Sequence, residues 1–264
     1  MPGADLRTVE RALSVLDLIA SDPDAEWGLA SLGKGAGLSK ATTLRMLSTL
    51  QKHGYVTRDG LESRYRLGPR VLSLAGALKP RLRSAAHPRL HELVERTGET
   101  ALLYLLDGTQ RVCADEVASP HPIRVSYEIG SRAPLHAGAS GKVLLAFMDP
   151  AERHRLLPQL QLERFTAATT VTVADLEREF AAIREQGYAL TLGEHDAGVF
   201  GISAPVFLGN GRLEAVTTMV GPVVRWQPAR KDLYVQAVVD AAREISHSLG
   251  YVQRSRVAAM AGGG

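Results

Sequence analysis

The run GLSKATTLRMLSTLQKHGYV, Gly37 to Val56, limits the fold of this chain more than any other stretch. Thr43, Met46, Leu47 and Leu50 stand at i, i+3, i+4 and i+7, the spacing that puts side chains on one helical face. That face belongs in a core. Ser39 is placed to cap the helix and Gly54 to end it after His53. Gly37 closes a shorter helix, about Leu29 to Ala36, because glycine adopts positive φ at little cost. Upstream, Val9, Ala12, Leu13, Leu16 and Ile19 mark a first helix over residues 8–20, with Thr8 as its expected cap.

The period changes directly after the third helix. Tyr55 to Arg58 and Arg64 to Leu67 read as two extended runs joined by a turn around Asp59-Gly60. Helix, helix, turn, helix, hairpin is the order of a winged helix-turn-helix, whose second motif helix enters the DNA major groove. Charge agrees with that order. The whole chain carries only +3, but residues 34–70 hold eight basic residues against Asp59 and Glu62, a net +6. Ser39, Lys40, Thr42, Arg45 and Ser48 lie off the apolar face; Arg45 suits a guanine edge and Lys40 a phosphate. Taken by itself, such a face is more often merely solvated; the hairpin, the basic stripe and the preceding helix-turn favour DNA.

The remaining chain is long enough for a second domain, and 45% hydrophobic content supplies its core. RVLSLAGALK predicts a connecting helix ended by Pro80, and HPRLHELVERTGE a helix with Pro88 in its first turn. A hairpin turns about Asp107-Gly108, HPIRVSYEIG adds a strand, and GASGKVLLAFM enters a helix. Further helices are capped by Asp149 before Pro150 and by Thr172, followed by strands at about 188–193, 201–208 and 212–220 and a terminal helix over 228–249. Hairpins mixed with helices imply a largely antiparallel sheet in an α+β domain. The one cysteine, Cys113, excludes an internal disulfide or a paired-cysteine metal site and reads as a structural buried thiol. The first residues lack a secretory pattern, and no run approaches the roughly 20 apolar residues of a membrane span, so a cytoplasmic location is expected.

RALSVLDLIA, GLSKATTLRMLSTLQKHGYV, YRLGPRVLSLA, SPHPIRVSYEIGSRAPLHAGASGKVLLA and REQGYALTLGEHDAGVFGISAPVF, in that order and spacing, resemble the IclR family of bacterial transcriptional regulators from about Leu6 to Val252. The resemblance implies a winged helix-turn-helix over 1–68, a linker helix over 69–80, and a GAF-like effector-binding and oligomerisation domain with a mixed or antiparallel sheet over 81–253, leaving 254–264 as a flexible tail. It implies a homodimer or dimer of dimers on a double-stranded DNA operator, acting as a repressor responsive to a small-molecule effector. The family's reading-head pattern falls on Leu38 to Leu47, so Ser39, Lys40, Ala41, Thr42, Leu44 and Arg45 become DNA-facing positions, joined by Arg64 and Tyr65 of the wing. Ala41 and Leu44 depart from the polar residues usual there, which points to apolar readout such as a thymine methyl.

The same resemblance assigns an effector pocket to Ala139, Ser140, Thr191, Val199, Gly201, Ser203, Thr218 and Val220, lined by Val125 and Ala133. A cysteine is frequent at Gly201 and an acidic residue at Thr191, so the pocket is expected to be roomy and uncharged, suited to an aromatic or mid-sized carboxylate. APLHAGASGKVLLAF is not a phosphate loop of the Walker type: Gly138 and Gly141 are too close, and Val143 stands where a magnesium-binding hydroxyl belongs. Its glycine-rich turn still opens a helix, leaving the amides of Ala139 and Ser140 near a positive dipole end that suits a carboxylate. Glu194, His195 and Asp196 are adjacent, so on a strand they cannot converge on one ion; a polar loop at the pocket mouth fits better. His136 reads as a hydrogen-bonded structural histidine. No catalytic residues, metal ligands or cofactor are expected. The competing readings are an enzyme acting on a small carboxylate, for which no nucleophile-base constellation is present, and a DNA-binding regulator without a ligand.

Overall fold

The computed structural model describes residues 6–22, 25–59, 64–77 and 79–252. The expected turn around Gly60 and the expected tail over 254–264 fall outside the described residues. The chain separates into two compact units, Met1–Pro80 and Arg81–Gly264.

The first unit contains α1 (Arg7–Ser21), α2 (Leu29–Gly35), α3 (Lys40–Lys52), the antiparallel pair β1 (Val56–Arg58) and β2 (Tyr65–Leu67), and α4 (Arg70–Ala77). Val15, Ile19, Leu32, Met46, Leu47, Val56 and Tyr65 share its core. α1 begins one residue before Thr8, and the capping position, Leu6, makes no side-chain cap bond. The turn between α2 and α3 depends on two glycines. Gly37 has φ +62°, and a Cβ on Gly33 would stand 2.9 Å from Thr43 Oγ1, so α2 can lie on α3 only with no side chain there. The Thr43 hydroxyl in turn donates to Ser39 O at 2.9 Å. The wing is fastened in the same way: Tyr65 N donates to Trp27 O at 2.8 Å, and Gly68 passes so near Gly54 that a Cβ would meet the Gly54 carbonyl oxygen at 2.2 Å.

The second unit is built on six strands in the order β5-β4-β3-β8-β7-β6, every neighbouring pair antiparallel. These are β3 (Thr100–Asp107), β4 (Gln110–Val117), β5 (Arg132–Pro134), β6 (Ala189–Leu192), β7 (Val199–Phe207) and β8 (Leu213–Pro222). Strand alternation serves two cores. Leu103, Phe200, Ile202, Ala204 and Met219 pack with α5 (Pro80–Thr97) and α9 (Lys231–Ser248) through Leu90, Leu93, Tyr234, Val238 and Ile245. Val216 turns the other way, toward α6 (Ala139–Phe147) and α8 (Val173–Gln186), where Leu144, Leu176, Phe180 and Ile183 are buried. The short α7 (Pro150–Leu156) follows α6, capped by Asp149 through the amides of Ala151 and Glu152. Thr172 caps α8 through Asp175 N, and Gly187 ends it at φ +84°. Among the described residues, no helix is long and apolar enough to cross a membrane.

Two expectations are corrected. Pro80 opens a helix rather than only closing one: α5 runs from Pro80 to Thr97 and carries Pro88 inside it. HPIRVSYEIG does not join the sheet. Its backbone is held by side chains and single bonds: Thr100 Oγ1 donates to Val125 O, Tyr127 N to Glu116 Oε1, and Gly130 N to Cys113 O. The edge strand is instead Arg132–Pro134, paired with residues 110–112.

A bulge between Leu103 and Tyr104 positions the site described next. Tyr104 pairs with Cys113 but Leu103 with Asp115, leaving Ala114 as the extra residue. Asp115 is thereby sent to the α5 side, where its Oδ2 lies 2.9 Å from His87 Nδ1. Cys113 keeps to the other side, with Tyr104 and Val220.

Candidate functional site

Two surfaces carry chemistry, one in each unit. In the first, the core face of α3 holds Thr43, Met46 and Leu47 down and leaves Lys40, Ala41, Leu44 and Arg45 exposed, Leu44 at 47%. Ser39 and Thr42 are otherwise engaged. Ser39 Oγ accepts from Thr42 N at 3.3 Å and lies 2.9 Å from Thr42 Oγ1, so these hydroxyls close the helix start.

The wing departs from expectation. Tyr65 is 3% exposed, in the core with Val56 and Leu47, and Arg58 lies over its ring at 5.6 Å; it cannot contact DNA. Arg64 donates to Glu26 O and forms an ion pair with the Glu26 carboxylate, so its guanidinium braces the wing against the loop before α2. Arg66, one residue past the buried ring, is the exposed cation of β2. Tyr65→Ala is therefore expected to cost about 3 kcal/mol of stability, as truncation of a buried aromatic does. Arg66→Ala should leave thermal unfolding unchanged and weaken DNA binding; equal effects of both on unfolding would contradict the assignment.

In the second unit a pocket lies beside the start of α6. It is lined by Tyr104, Arg111, Tyr127, Gly138, Ala139, Ser140, Thr191, Glu194, His195, Asp196, Val199, Gly201, Thr218 and Val220. Gly138 precedes α6 at φ +89°. Its N–H donates to Glu194 Oε2 at 2.9 Å, while Glu194 Oε1 takes Lys142 Nζ at 2.5 Å. Lys142 is 2% exposed and is also paired with Glu179, with Thr170 Oγ1 at 3.3 Å. This network fastens the loop after β6 to α6 and α8.

Across the pocket, Arg111 Nη1 donates to the carbonyls of Pro134 and Ala137, and its guanidinium lies 5.6 Å over the Tyr104 ring. Burial draws Arg111 below the ordinary arginine range and pushes the Tyr104 and Tyr127 phenols up. At the mouth, Asp196 Oδ2 accepts from Tyr127 OH at 2.9 Å and lies 3.0 Å from His195 Nδ1. Burial works against the Asp196 charge, but the bonds from His195 and Tyr127 and the nearby Arg111 hold it below the usual carboxylate range. Cys113 stands behind this wall, buried, with its thiol pushed up to about 12 chiefly by burial. His136 is buried elsewhere, Nε2 2.8 Å from Glu163 O.

Residues 77–247 match the family described as bacterial transcriptional regulator IclR C-terminal, and residues 8–60 match the IclR helix-turn-helix domain. The chain belongs to the IclR family of transcriptional regulators. It is 34% identical over 246 residues to the HTH-type transcriptional regulator BhcR of Paracoccus denitrificans, covering 92% of this chain and 88% of that protein. It is 30% identical over 249 residues to the transcriptional repressor IclR of Escherichia coli, covering 93% and 90%. The crystal structure of an IclR homologue from Microbacterium hydrocarbonoxydans complexed with 4-hydroxybenzoate superposes with a TM-score of 0.78 at 25% identity, covering 92% of this chain and 98% of that one. The protein is thus a DNA-binding regulator with an α+β architecture and an effector-binding C-terminal domain, not an enzyme.

As an IclR-family sensor it brings Ala139, Ser140, Thr191, Val199, Gly201, Thr218 and Val220 to one pocket. Three expected residues are absent from the lining. Ser203 is buried with its Oγ 2.9 Å from Thr218 Oγ1, Val125 packs behind with Leu102 and Cys113, and Ala133 pairs in the sheet opposite Arg111. Nor is the pocket uncharged or roomy. Arg111, Glu194 and Asp196 line it, and a Cβ on Gly201 would already contact Thr191, Val220 and Ala139 at 3.7–3.8 Å. Arg111 was legible as an anomaly: it holds the inward phase of an alternating strand, two residues from Cys113.

Proposed function

We propose that this IclR-family regulator is a repressor that binds a pseudopalindromic operator in double-stranded DNA as a dimer or dimer of dimers, in the cytoplasm, and responds to a small carboxylate. The observation that carries the DNA half is the exposed row Lys40, Ala41, Leu44 and Arg45 on a helix fixed by Gly33, Gly37 and Thr43 beside a wing. Lys40 meets phosphate, Arg45 a guanine edge, and Ala41 and Leu44 the methyl-bearing side of an A·T pair. Two protomers related by a two-fold axis place two such heads on half-sites about one helical turn apart. The relative named a repressor supports the sign of regulation, and the relative solved with 4-hydroxybenzoate supports a carboxylate effector. The effector changes DNA affinity only insofar as it prefers one arrangement of the heads, and DNA must alter effector affinity by the same factor.

Selection from a random duplex library followed by sequencing tests this reading. An inverted repeat should emerge, with thymine recurring within each half-site and lost when Leu44 is replaced by glutamine. A single unrepeated site, or no enrichment, would contradict it.

A further inference from the structure

Resting on that reading, we infer that Arg111 is the charge-matching and specificity-determining residue of the pocket, and that the missing partner of its guanidinium is the carboxylate of a monocarboxylate effector.

Three buried or half-buried cations in this unit can be compared. Lys142 has the carboxylates of Glu194 and Glu179, and Arg225 has that of Glu99. Arg111 is 6% exposed, yet among the described residues its ion-pair partner is absent, and Nη1 meets only the carbonyls of Pro134 and Ala137. The Nε atom is fully buried without a hydrogen-bond acceptor. A buried donor left unmade, on a buried charge that the Asp196 carboxylate reaches only through space, is costly and calls for a partner. The charges nearby do not supply the partner. Glu194 spends its two oxygens on Gly138 N and Lys142, and Asp196, whose Oδ2 serves Tyr127 and His195, makes no hydrogen bond or ion pair with Arg111.

Direction fixes the ligand class. Nη2 lies 3.4 Å from the position a Cβ on Gly138 would take, which puts the unused edge of the guanidinium beside the start of α6. An Nε–Nη2 edge presents two parallel donors, the fork that fits a planar carboxylate. The same anion then lies near the amides of Ala139 and Ser140, at the positive end of the helix. The helix start and Arg111 converge on one place, which calls for one acidic group rather than two.

The experiment uses the full-length protein with acetate and benzoate as probes, acetamide and benzamide as their neutral counterparts, and sodium chloride to match ionic strength. The arginine Nε–H signals of 15N-labelled wild type are recorded, with that of Arg111 assigned by its loss in Arg111→Lys. At least one carboxylate is expected to move the Arg111 signal and raise the unfolding temperature, while its amide does neither. Arg111→Lys keeps the charge but not the fork and should weaken that carboxylate at least about tenfold; Arg111→Gln should abolish the response. An unmoved Arg111 signal with every carboxylate, an equal response to acid and amide, or unchanged affinity in Arg111→Lys would each overturn the inference. The wild-type signal needs no variant to fold. Duplex-DNA binding measured on the same samples separates the two readings, since its retention alongside a silent Arg111 overturns only this one.

Discussion

Gly141→Ala is expected to lower the unfolding temperature of the second unit by about 10 °C, the shift that about 3 kcal/mol gives a unit of this size. The sign is not the one helix propensity suggests. Within a helix, alanine is favoured over glycine by about 1 kcal/mol. Here a Cβ would stand 2.2 Å from Leu135 O and 2.7 Å from Leu135 Cα, both backbone atoms that cannot rotate away. Relief requires α6 to lift from the segment before it, disturbing the core shared by Leu135, Val143, Leu144 and Phe180. Overpacking of that kind costs about 1–3 kcal/mol or more and here exceeds the propensity gain. Gly198→Ala is the control, because nothing stands within 4 Å of its Cβ position and its φ is ordinary. Calorimetry should show the control within about 0.5 kcal/mol of wild type. A Gly141→Ala protein as stable as its parent would mean that α6 is not seated as described.

The second large effect is on DNA. Lys40 and Arg45 flank the exposed side of α3, and neither supports the core, which rests on Thr43, Met46 and Leu47. Replacing both by alanine should leave unfolding unchanged while lowering operator affinity about a hundredfold or more. A bidentate arginine–guanine contact is worth about 1–3 kcal/mol, and each protomer would lose a phosphate contact besides. Leu44→Ala should act differently, relaxing preference at one base step with a small loss of affinity.

How much of this was legible in the sequence follows from where the controlling interactions lie. Local ones were readable: Ser39, Asp149 and Thr172 as caps, Gly54 as the end of α3, and the turn between Asp107 and Gln110. Interactions between distant segments were not. Tyr65 alternates like a wing residue, yet its ring is drawn inward by Val56 and Leu47. HPIRVSYEIG has strand-like alternation but its partners are the side chains of Thr100 and Glu116, which no local pattern records. Pro88 reads as part of the first turn of a shorter helix, whereas Leu82, Ala86, Leu90 and Leu93 bury one continuous face of α5 across it. For the pocket, small residues on β7 and β8 were found and Glu194, His195 and Asp196 were placed at its mouth, but the buried charge of Arg111 was missed. Arg111 and Tyr104 come from the opposite hairpin, and Glu194, His195 and Asp196 share the lining because Gly193, at φ +66°, turns them out of strand geometry.

Salt dependence of DNA binding tests the central claim, that α3 is the reading head, most directly. Wild-type affinity for an operator duplex should fall linearly in log–log form as salt rises. Lys40→Ala should make the slope shallower by about 2 for two protomers, one counterion per lost phosphate contact, and the Lys40→Ala/Arg45→Ala protein should be at least as shallow. A flat wild-type plot, or identical slopes for wild type and the double variant, would place the DNA-binding surface elsewhere.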